Sequence, residues 1–253
     1  MDQNLDPFNG KYGRLLEIKE IGSKDYVTTE VSFTKREPLR ATKDEATGWK
    51  WGPQRLLNEA HALQIVAEKT SIPVPKLFEH GYDDQGRYYV TMERIHGLSL
   101  SEAGKECQMV GAGVGHATSG PCNECRQTAR HNADTFIREQ VLPQLQQLSS
   151  NETGLNGFLL PPPRIVETRE DRECWPVKKS GSKIYVLIHG DLASHNISIN
   201  RSTLEVEHIY DWEHTAYLPA EMELELWCME GREYYDLFKN DQLIESEISL
   251  ITP

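Results

Sequence analysis

Long apolar runs are missing from the 253-residue chain: none approaches the ~18 residues of a membrane-crossing helix, and no apolar segment follows a basic start. Neither a transmembrane helix nor a signal peptide is expected, and the chain reads as cytoplasmic. Basic residues are also scarce. Their 27 against 39 acidic residues leave a net charge of −12 and a pI near 5.2. That balance argues against nucleic-acid and anionic-membrane partners, both of which reward basic surfaces, and permits a cationic small molecule. Five cysteines in a chain this long do not make a disulfide framework. No G-x-G-x-x-G occurs, so a glycine-rich phosphate loop of that form is excluded, and there is no internal repeat.

What is present suffices for a real core: 38% of the residues are hydrophobic, and the length suits one compact domain or two lobes. Most of the chemistry lies between Tyr185 and Asp211. The apolar run Tyr185-Val186-Leu187-Ile188 reads as a buried strand, and His189-Gly190-Asp191 then delivers a carboxylate to a loop. The amide of Asn196 follows five residues later. Leu204 to Tyr210 alternates apolar and polar residues, as a half-buried strand does, and ends at a second carboxylate, Asp211. Such a hairpin returns Asp211 beside Asn196. Mg²⁺ takes hard oxygen ligands, usually one or two carboxylates together with substrate phosphates, so Asn196 and Asp211 suit it. Asp191 is left to face a substrate hydroxyl. The plain alternative is that Asp191 and Asn196 cap a turn and Asp211 ends a strand.

His189-Gly190-Asp191-Leu192-Ala193-Ser194-His195-Asn196 resembles the catalytic loop of protein kinases, H-R-D-L-x-x-x-N, and Asp211-Trp212-Glu213 stands where those kinases have D-F-G. With the fitting gaps of five and twenty residues, the chain resembles the aminoglycoside phosphotransferase and protein-kinase-like family, in the phosphotransferase-enzyme branch common in fungi. The resemblance implies an α+β, bilobed protein-kinase-like fold with a small antiparallel-sheet N-lobe and a mainly helical C-lobe. Residues 1–93 would form the nucleotide-binding lobe, and 94–253 the lobe that carries the catalytic loop at 187–197.

On that basis, Leu15 to Ile21 and Tyr26 to Lys35 read as strands joined by a turn at Gly22-Ser23-Lys24-Asp25. Either a shorter turn such as the one at Gly22 covers the phosphates, or the lid is lost. Lys35 is the candidate for the strand lysine that reaches the α- and β-phosphates, with Lys43 and Lys50 as alternatives and an ordinary solvated lysine as the bland reading. Pro53 to Lys69 reads as a helix, with Leu56, Leu57, Ala60, Leu63 and Val66 at spacings of three and four. Within it, Glu59 corresponds by resemblance to the glutamate that pairs with the strand lysine, against the bland reading of an exposed helix glutamate. Ile72-Pro73-Val74-Pro75 is extended. A second strand pair, Lys76 to His80 and Tyr88 to Glu93, leads into the hinge Met92-Glu93-Arg94-Ile95, where the resemblance implies that the backbone of Glu93 and Ile95 meets adenine.

A Gly- and Cys-rich insertion at 99–125 precedes a helix from Arg126 to Leu148, with a kink expected at Pro143. Only one further helix, around Glu221 to Tyr235, is expected after Glu213. His189 is expected to orient its loop or simply pack in the core, and His195 receives no role. Within the insertion, Cys107, His116, Cys122 and Cys125 are spaced Cys-x₈-His-x₅-Cys-x₂-Cys. They supply the four N/S ligands of a closed structural Zn²⁺ site, and Gly104, Gly111, Gly113, Gly115 and Gly120 give the chain freedom to wrap an ion. The alternatives are unpaired thiols, or a redox pair at Cys122 and Cys125.

The expected activity is an ATP- and Mg²⁺-dependent phosphotransferase acting on a hydroxyl of a small molecule, with Asp191 as the catalytic carboxylate. Its partners would be a nucleotide and a small hydroxylated substrate. The rivals are a pseudokinase that binds nucleotide without turnover and a zinc-stabilised interaction protein.

Overall fold

The computed structural model describes residues 10–21, 24–38, 51–110, 116–169, 172 and 174–252. Its N-terminal part is an antiparallel sheet of β1 (Leu15–Ile21), β2 (Lys24–Thr29), β3 (Ser32–Arg36), β4 (Leu77–Tyr82) and β5 (Tyr88–Glu93), in the order β1-β2-β3-β5-β4. The single strand expected from Tyr26 to Lys35 is two strands. The Thr29 hydroxyl accepts the backbone N–H groups of Val31 (3.3 Å) and Ser32 (3.0 Å), and this local bonding folds the run into a hairpin. Tyr26 is thereby paired with Lys35, which lies on a central strand between β2 and β5. The expected turn residues Gly22 and Ser23 lie outside the described residues.

Helix α1 (Gly52–Lys69) packs on this sheet. Proline in its first turn suits the start of a helix, and Leu56, Ala60, Leu63 and Val66 form the buried stripe. Glu59, three residues after Leu56, falls on that stripe and is fully buried. The helix ends at Thr70, which is extended and donates its N–H to Val66 O, ahead of the Pro73 and Pro75 segment.

Beyond β5 come β6 (Leu98–Ser99) and a long helical stretch: α2 (Asn123–Phe136), a π turn over Ile137–Val141, and α3 (Leu142–Gln147). The π turn stands just ahead of Pro143 and accommodates the amide that proline lacks. Short strands follow: β7 (Ser149–Ser150), β8 (Tyr185–Ile188), β9 (Ile197–Ile199), β10 (Val206–Ile209) and β11 (Ala216–Leu218). They form two three-stranded sheets, β10-β9-β6 and β11-β8-β7. The remaining helices are α4 (Pro163–Val166), α5 (Gly231–Leu237) and α6 (Asp241–Ile251).

The last forty residues differ from expectation. In place of one helix around Glu221 to Tyr235 there are 3₁₀ turns at Ala220–Met222 and Leu226–Cys228, and α5 begins only after Glu230. The reason is local: Glu230 and Glu233 form a reciprocal capping box that sets the helix start. Helix α6 is an addition to the expected elements, although its signal is present. Asn240 accepts the Leu243 N–H as N-cap, and Ile244, Ile248 and Ile251 repeat at helical spacing into a core with Leu159, Ile165, Ile188 and Met222.

Arg164 connects this core to the loop that carries Gly190 and Asp191. It is buried and donates to both carboxylate oxygens of Glu247 on α6 (2.8 and 2.6 Å), to Met222 O (2.8 Å) and to Gly190 O (3.4 Å). Removing one partner of such a pair strands a buried charge. Glu247→Ala should therefore cost ~3–5 kcal/mol in urea unfolding, and a loss below ~1 kcal/mol would show that α6 is not held through this contact.

Candidate active site

The loop after β8 is shaped by two residues. Gly190 has φ +82°, and a Cβ there would stand 2.5 Å from His214 O, so only glycine fits. His189 is buried and accepts the Asp191 N–H at Nδ1 (3.3 Å), which leaves Nε2–H to donate to Tyr210 O (3.1 Å). Its ring lies 4.4 Å from that of Trp212, and burial lowers its pKa and keeps it neutral. His189 thus ties the Asp191 loop to the Asp211 turn. Glu223 accepts the N–H groups of His189 and Gly190 from below, and burial pushes its carboxyl up to about 7.

Asp211 itself is in the left-handed region (φ 66°, ψ 54°), a strained setting for a residue other than glycine. One carboxylate oxygen lies 2.5 Å from Lys35 Nζ, and the same ammonium is 2.8 Å from Glu59 Oε1. Burial alone would lower the pKa of Lys35, but the carboxylates of Asp211, Glu59 and Glu213 outweigh it and keep the ammonium charged. Burial pushes Glu59 up, against the pull of Lys35. For Asp211, burial is outweighed by Lys35 and Lys24, and the group stays ionised. Beside this node a second buried lysine, Lys24, pairs with Glu213, and Arg55 stands 3.7 Å from the same carboxylate. Asn58 fixes helix α1 to the turn by donating to Glu213 O (3.1 Å) and Thr215 O (2.6 Å).

Asp191 is 8% exposed, and both of its carboxylate oxygens are engaged. Oδ1 accepts the Tyr234 hydroxyl at 2.9 Å, and Oδ2 accepts Asn196 Nδ2 at 3.0 Å, with His195 Nε2 at 3.6 Å. Burial would raise its pKa, but the nearby His195 imidazole and the neighbouring histidines bring it below the ordinary value. Asp191 in turn raises the pKa of His195.

Two cavities border these residues. One of about 270 Å³ is lined by Phe33, Lys35, Glu59, Met92, Asp211 and the hinge from Glu93 to Ile95. At the hinge, Glu93 N–H donates to Lys76 O and Arg94 N–H to Val31 O, while Ile95 N–H has no loop or turn partner among the described residues. The other cavity, about 1080 Å³, is open and is lined by Glu102, Arg126, Ala193 to His195, Tyr234 and Phe238.

Lys35 and Glu59, from the N-terminal part, and Asp191, Asn196 and Asp211, from the hairpin, are thus part of one continuous hydrogen-bonded and packed assembly. Lys43 and Lys50 lie outside the described residues. Cys107, His116, Cys122 and Cys125 gather elsewhere, at the start of α2. Lys24, Asn58, Glu213 and Tyr234 join the site without having been singled out by sequence reasoning. Asn58 and Glu213 adjoin recognised residues and could have been suspected, whereas nothing in the sequence ties Tyr234 to Asp191.

Residues 34–238 match the model of the phosphotransferase enzyme family (APH), and the chain belongs to that family. No curated protein matches it in sequence. Among solved structures it is similar to a mutant aminoglycoside 2′-phosphotransferase-IIIa in its GDP complex (12% identity, 94% of this chain and 81% of that one, TM-score 0.52). It is also similar to a thermostable mutant of aminoglycoside phosphotransferase APH(4)-Ia in a ternary complex with ADP and hygromycin B (11%, 95% and 86%, TM-score 0.51). A third is aminoglycoside phosphotransferase APH(3″)-Id from Streptomyces rimosus (15%, 92% and 84%, TM-score 0.50). At these identities the likeness establishes the α+β, protein-kinase-like fold.

His214, behind the loop, gives a pH dependence. It is buried, its Nδ1–H donates to Pro161 O (2.8 Å), and burial, aided by the charge of Arg55, pushes its pKa down to about 4. The unfolded chain, with a histidine near 6.5, binds this proton first, so stability is full above that value and falls as pH drops towards 4. His214 should account for about 3 kcal/mol of that loss. Urea unfolding at several pH values should show the slope, and His214→Asn should flatten it.

Proposed function

We propose that this chain transfers a phosphoryl group from ATP to a hydroxyl of a small molecule. The observation that carries the reading is Lys35, held between Glu59 and Asp211 at the edge of a cleft that runs to the hinge. In this reading residues 1–93 hold the nucleotide and 94–253 supply the rest. Lys35 moves from Asp211 onto the α- and β-phosphates while Glu59 keeps it in place. Ile95 N–H and the Glu93 carbonyl serve the adenine edge. Asp191 orients the acceptor hydroxyl and takes its proton as the bond to phosphorus forms and the bond to the leaving nucleoside diphosphate breaks.

Mg²⁺ fits the hard oxygens at this place. The Asp211 side chain is 34% exposed, and only its Oδ1 is committed to Lys35. Asn196 turns its N–H to Asp191, which leaves its carbonyl oxygen available. Asn196 and Asp211 would hold the ion, which neutralises phosphate charge when bound. The larger cavity, with Asp191 at its border through Tyr234 and His195, suits a polar acceptor. Fold relatives captured with GDP, and with ADP plus hygromycin B, support a nucleotide and a hydroxyl-rich acceptor. A cytoplasmic setting belongs to the same proposal, in keeping with five free cysteines.

Asp191→Asn should lower transfer by ~10²–10⁴-fold with Mg-ATP affinity little changed, whereas Asp211→Asn should weaken Mg-ATP binding itself. Calorimetric titration together with a turnover assay distinguishes the two, and exchanged effects would overturn this division of roles between the two carboxylates.

One observation favours a second reading, a nucleotide-binding pseudokinase: the Tyr234 hydroxyl already occupies Asp191 Oδ1. If the chain is an enzyme, Tyr234 is displaced when the acceptor binds. Tyr234→Phe should then raise basal ATP hydrolysis, with water as acceptor, by several-fold at unchanged nucleotide KM. Absence of any turnover in both wild type and this variant would favour the pseudokinase.

A further inference from the structure

Cys107, His116, Cys122 and Cys125 come from three separate pieces of chain, yet one ligand atom of each lies within 4.8 Å of all the others. The closer separations decide what the cluster is. Cys107 Sγ is 3.8 Å from Cys125 Sγ, and His116 Nδ1 is 3.5, 3.7 and 3.9 Å from the sulfurs of Cys125, Cys122 and Cys107. A tetrahedron built with Zn–S of ~2.3 Å and Zn–N of ~2.0 Å has edges of about 3.8 Å between sulfurs and about 3.5 Å between sulfur and nitrogen. The three nitrogen-to-sulfur edges and the Cys107–Cys125 edge lie close to those figures, and the other two sulfur pairs are within 4.8 Å. A disulfide requires ~2.0 Å between sulfurs, and all five cysteines are free. We propose that these four side chains hold a structural Zn²⁺.

The surrounding backbone is built for this. Cys107 N–H donates to Gly120 O (3.0 Å) and Cys122 N–H to Gly104 O (2.9 Å), so the two arms of the insertion are laced together at the cluster. Gly104 has φ +79°, and a Cβ there would lie 2.6 Å from Arg126 Cβ and 2.7 Å from Cys122 O, so glycine is needed for one arm to reach the other. Cys122 occupies the N-cap of α2 without a side-chain capping bond, and Cys125 follows in the first turn. Both residues thus stand at the N-terminal end of a fourteen-residue helix. Cys122 and Cys125 are buried, with Ala103 and Ala129 in the same core. Four polar ligands turned inward on one another without a metal would forfeit hydration and gain only weak S–H contacts. Cys174 and Cys228 are exposed and stand apart from the cluster.

The ion would be closed off by its four ligands, with no position left for water, so its role is architectural. What it braces is one wall of the larger cavity. Leu100 to Ala103 and Lys105, just before Cys107, line that cavity together with Arg126, one residue after Cys125. The zinc thus fixes the acceptor side rather than the nucleotide side, and the site itself stands whether or not the chain transfers phosphate.

Elemental analysis of protein purified without chelator should find about one zinc per chain. Cys122→Ser should lose it, and Cys174→Ser, outside the cluster, should keep it. Because the first variant could unfold, wild-type protein stripped by chelator is also titrated with Co²⁺. Tetrahedral thiolate coordination gives intense visible d–d bands and a sulfur-to-cobalt charge-transfer band, and added Zn²⁺ should bleach both. Metal-free protein that yields no such spectrum would overturn the proposal. So would a Cys107–Cys125 or Cys122–Cys125 disulfide, found by mass spectrometry after alkylation without reductant.

Discussion

The salt bridge from Lys35 to Glu59 and Asp211 is the contact on which the rest of the site depends. It joins a central strand of the sheet, the buried face of α1 and the turn after β10, three elements far apart in sequence. Removing these charges from water is expensive, and their attraction compensates only when every member is present and well placed. The neighbouring Lys24, Glu213 and Arg55 extend the same logic, so the region behaves as one unit. Such a unit contributes little to net stability. It does specify one arrangement of α1 against the sheet, since a shift of either would strand a buried charge.

Asn58 adds a neutral constraint. Its amide reaches the carbonyls of Glu213 and Thr215, so the helix that carries Glu59 is bonded directly to the turn that carries Asp211. Gly190 and His189 perform the equivalent task for Asp191, through close approach to His214 and through the bond to Tyr210 O. Each candidate catalytic carboxylate is therefore fixed through backbone contacts as well as through its own side chain. That is the kind of preorganisation that phosphoryl transfer demands, because positioning and charge stabilisation do most of the work.

Legibility in the sequence follows the range of the interactions. Asp191, Asn196 and Asp211 are singled out by a spacing that one hairpin sets, whereas Glu59 is singled out only by resemblance, its burial beside Leu56 and Leu63 being seen in the structure. The run from Tyr26 to Lys35 reads wrongly as one strand because a single threonine hydroxyl turns it, a local bond that periodicity does not register. The stretch around Glu221 to Tyr235 reads wrongly as one helix because 3₁₀ turns bury Met222, Leu226 and Trp227 without a 3.6-residue repeat. Tyr234 is invisible because its contact with Asp191 spans 43 residues and depends on how α5 docks. The Cys and His cluster is visible as spacing, yet only three-dimensional placement shows the four ligand atoms within 4.8 Å of one another.

A chain with a net charge of −12 must still make room for a polyanion if it takes a nucleotide, and the node shows on what terms. Lys24, Lys35 and Arg55 face Glu59, Asp211 and Glu213, so the cations are matched one for one before any phosphate arrives. A triphosphate entering the cleft would compete with Asp211 for Lys35 and leave that carboxylate uncompensated beside it. Two negative groups drawn together at low dielectric repel strongly, so the nucleotide is accommodated only if it brings positive charge of its own. The strained backbone of Asp211 and its partial exposure place the carboxylate where such a cation would be shared. On the proposed reading, the internal balance of charge therefore favours a nucleotide that enters together with a divalent ion.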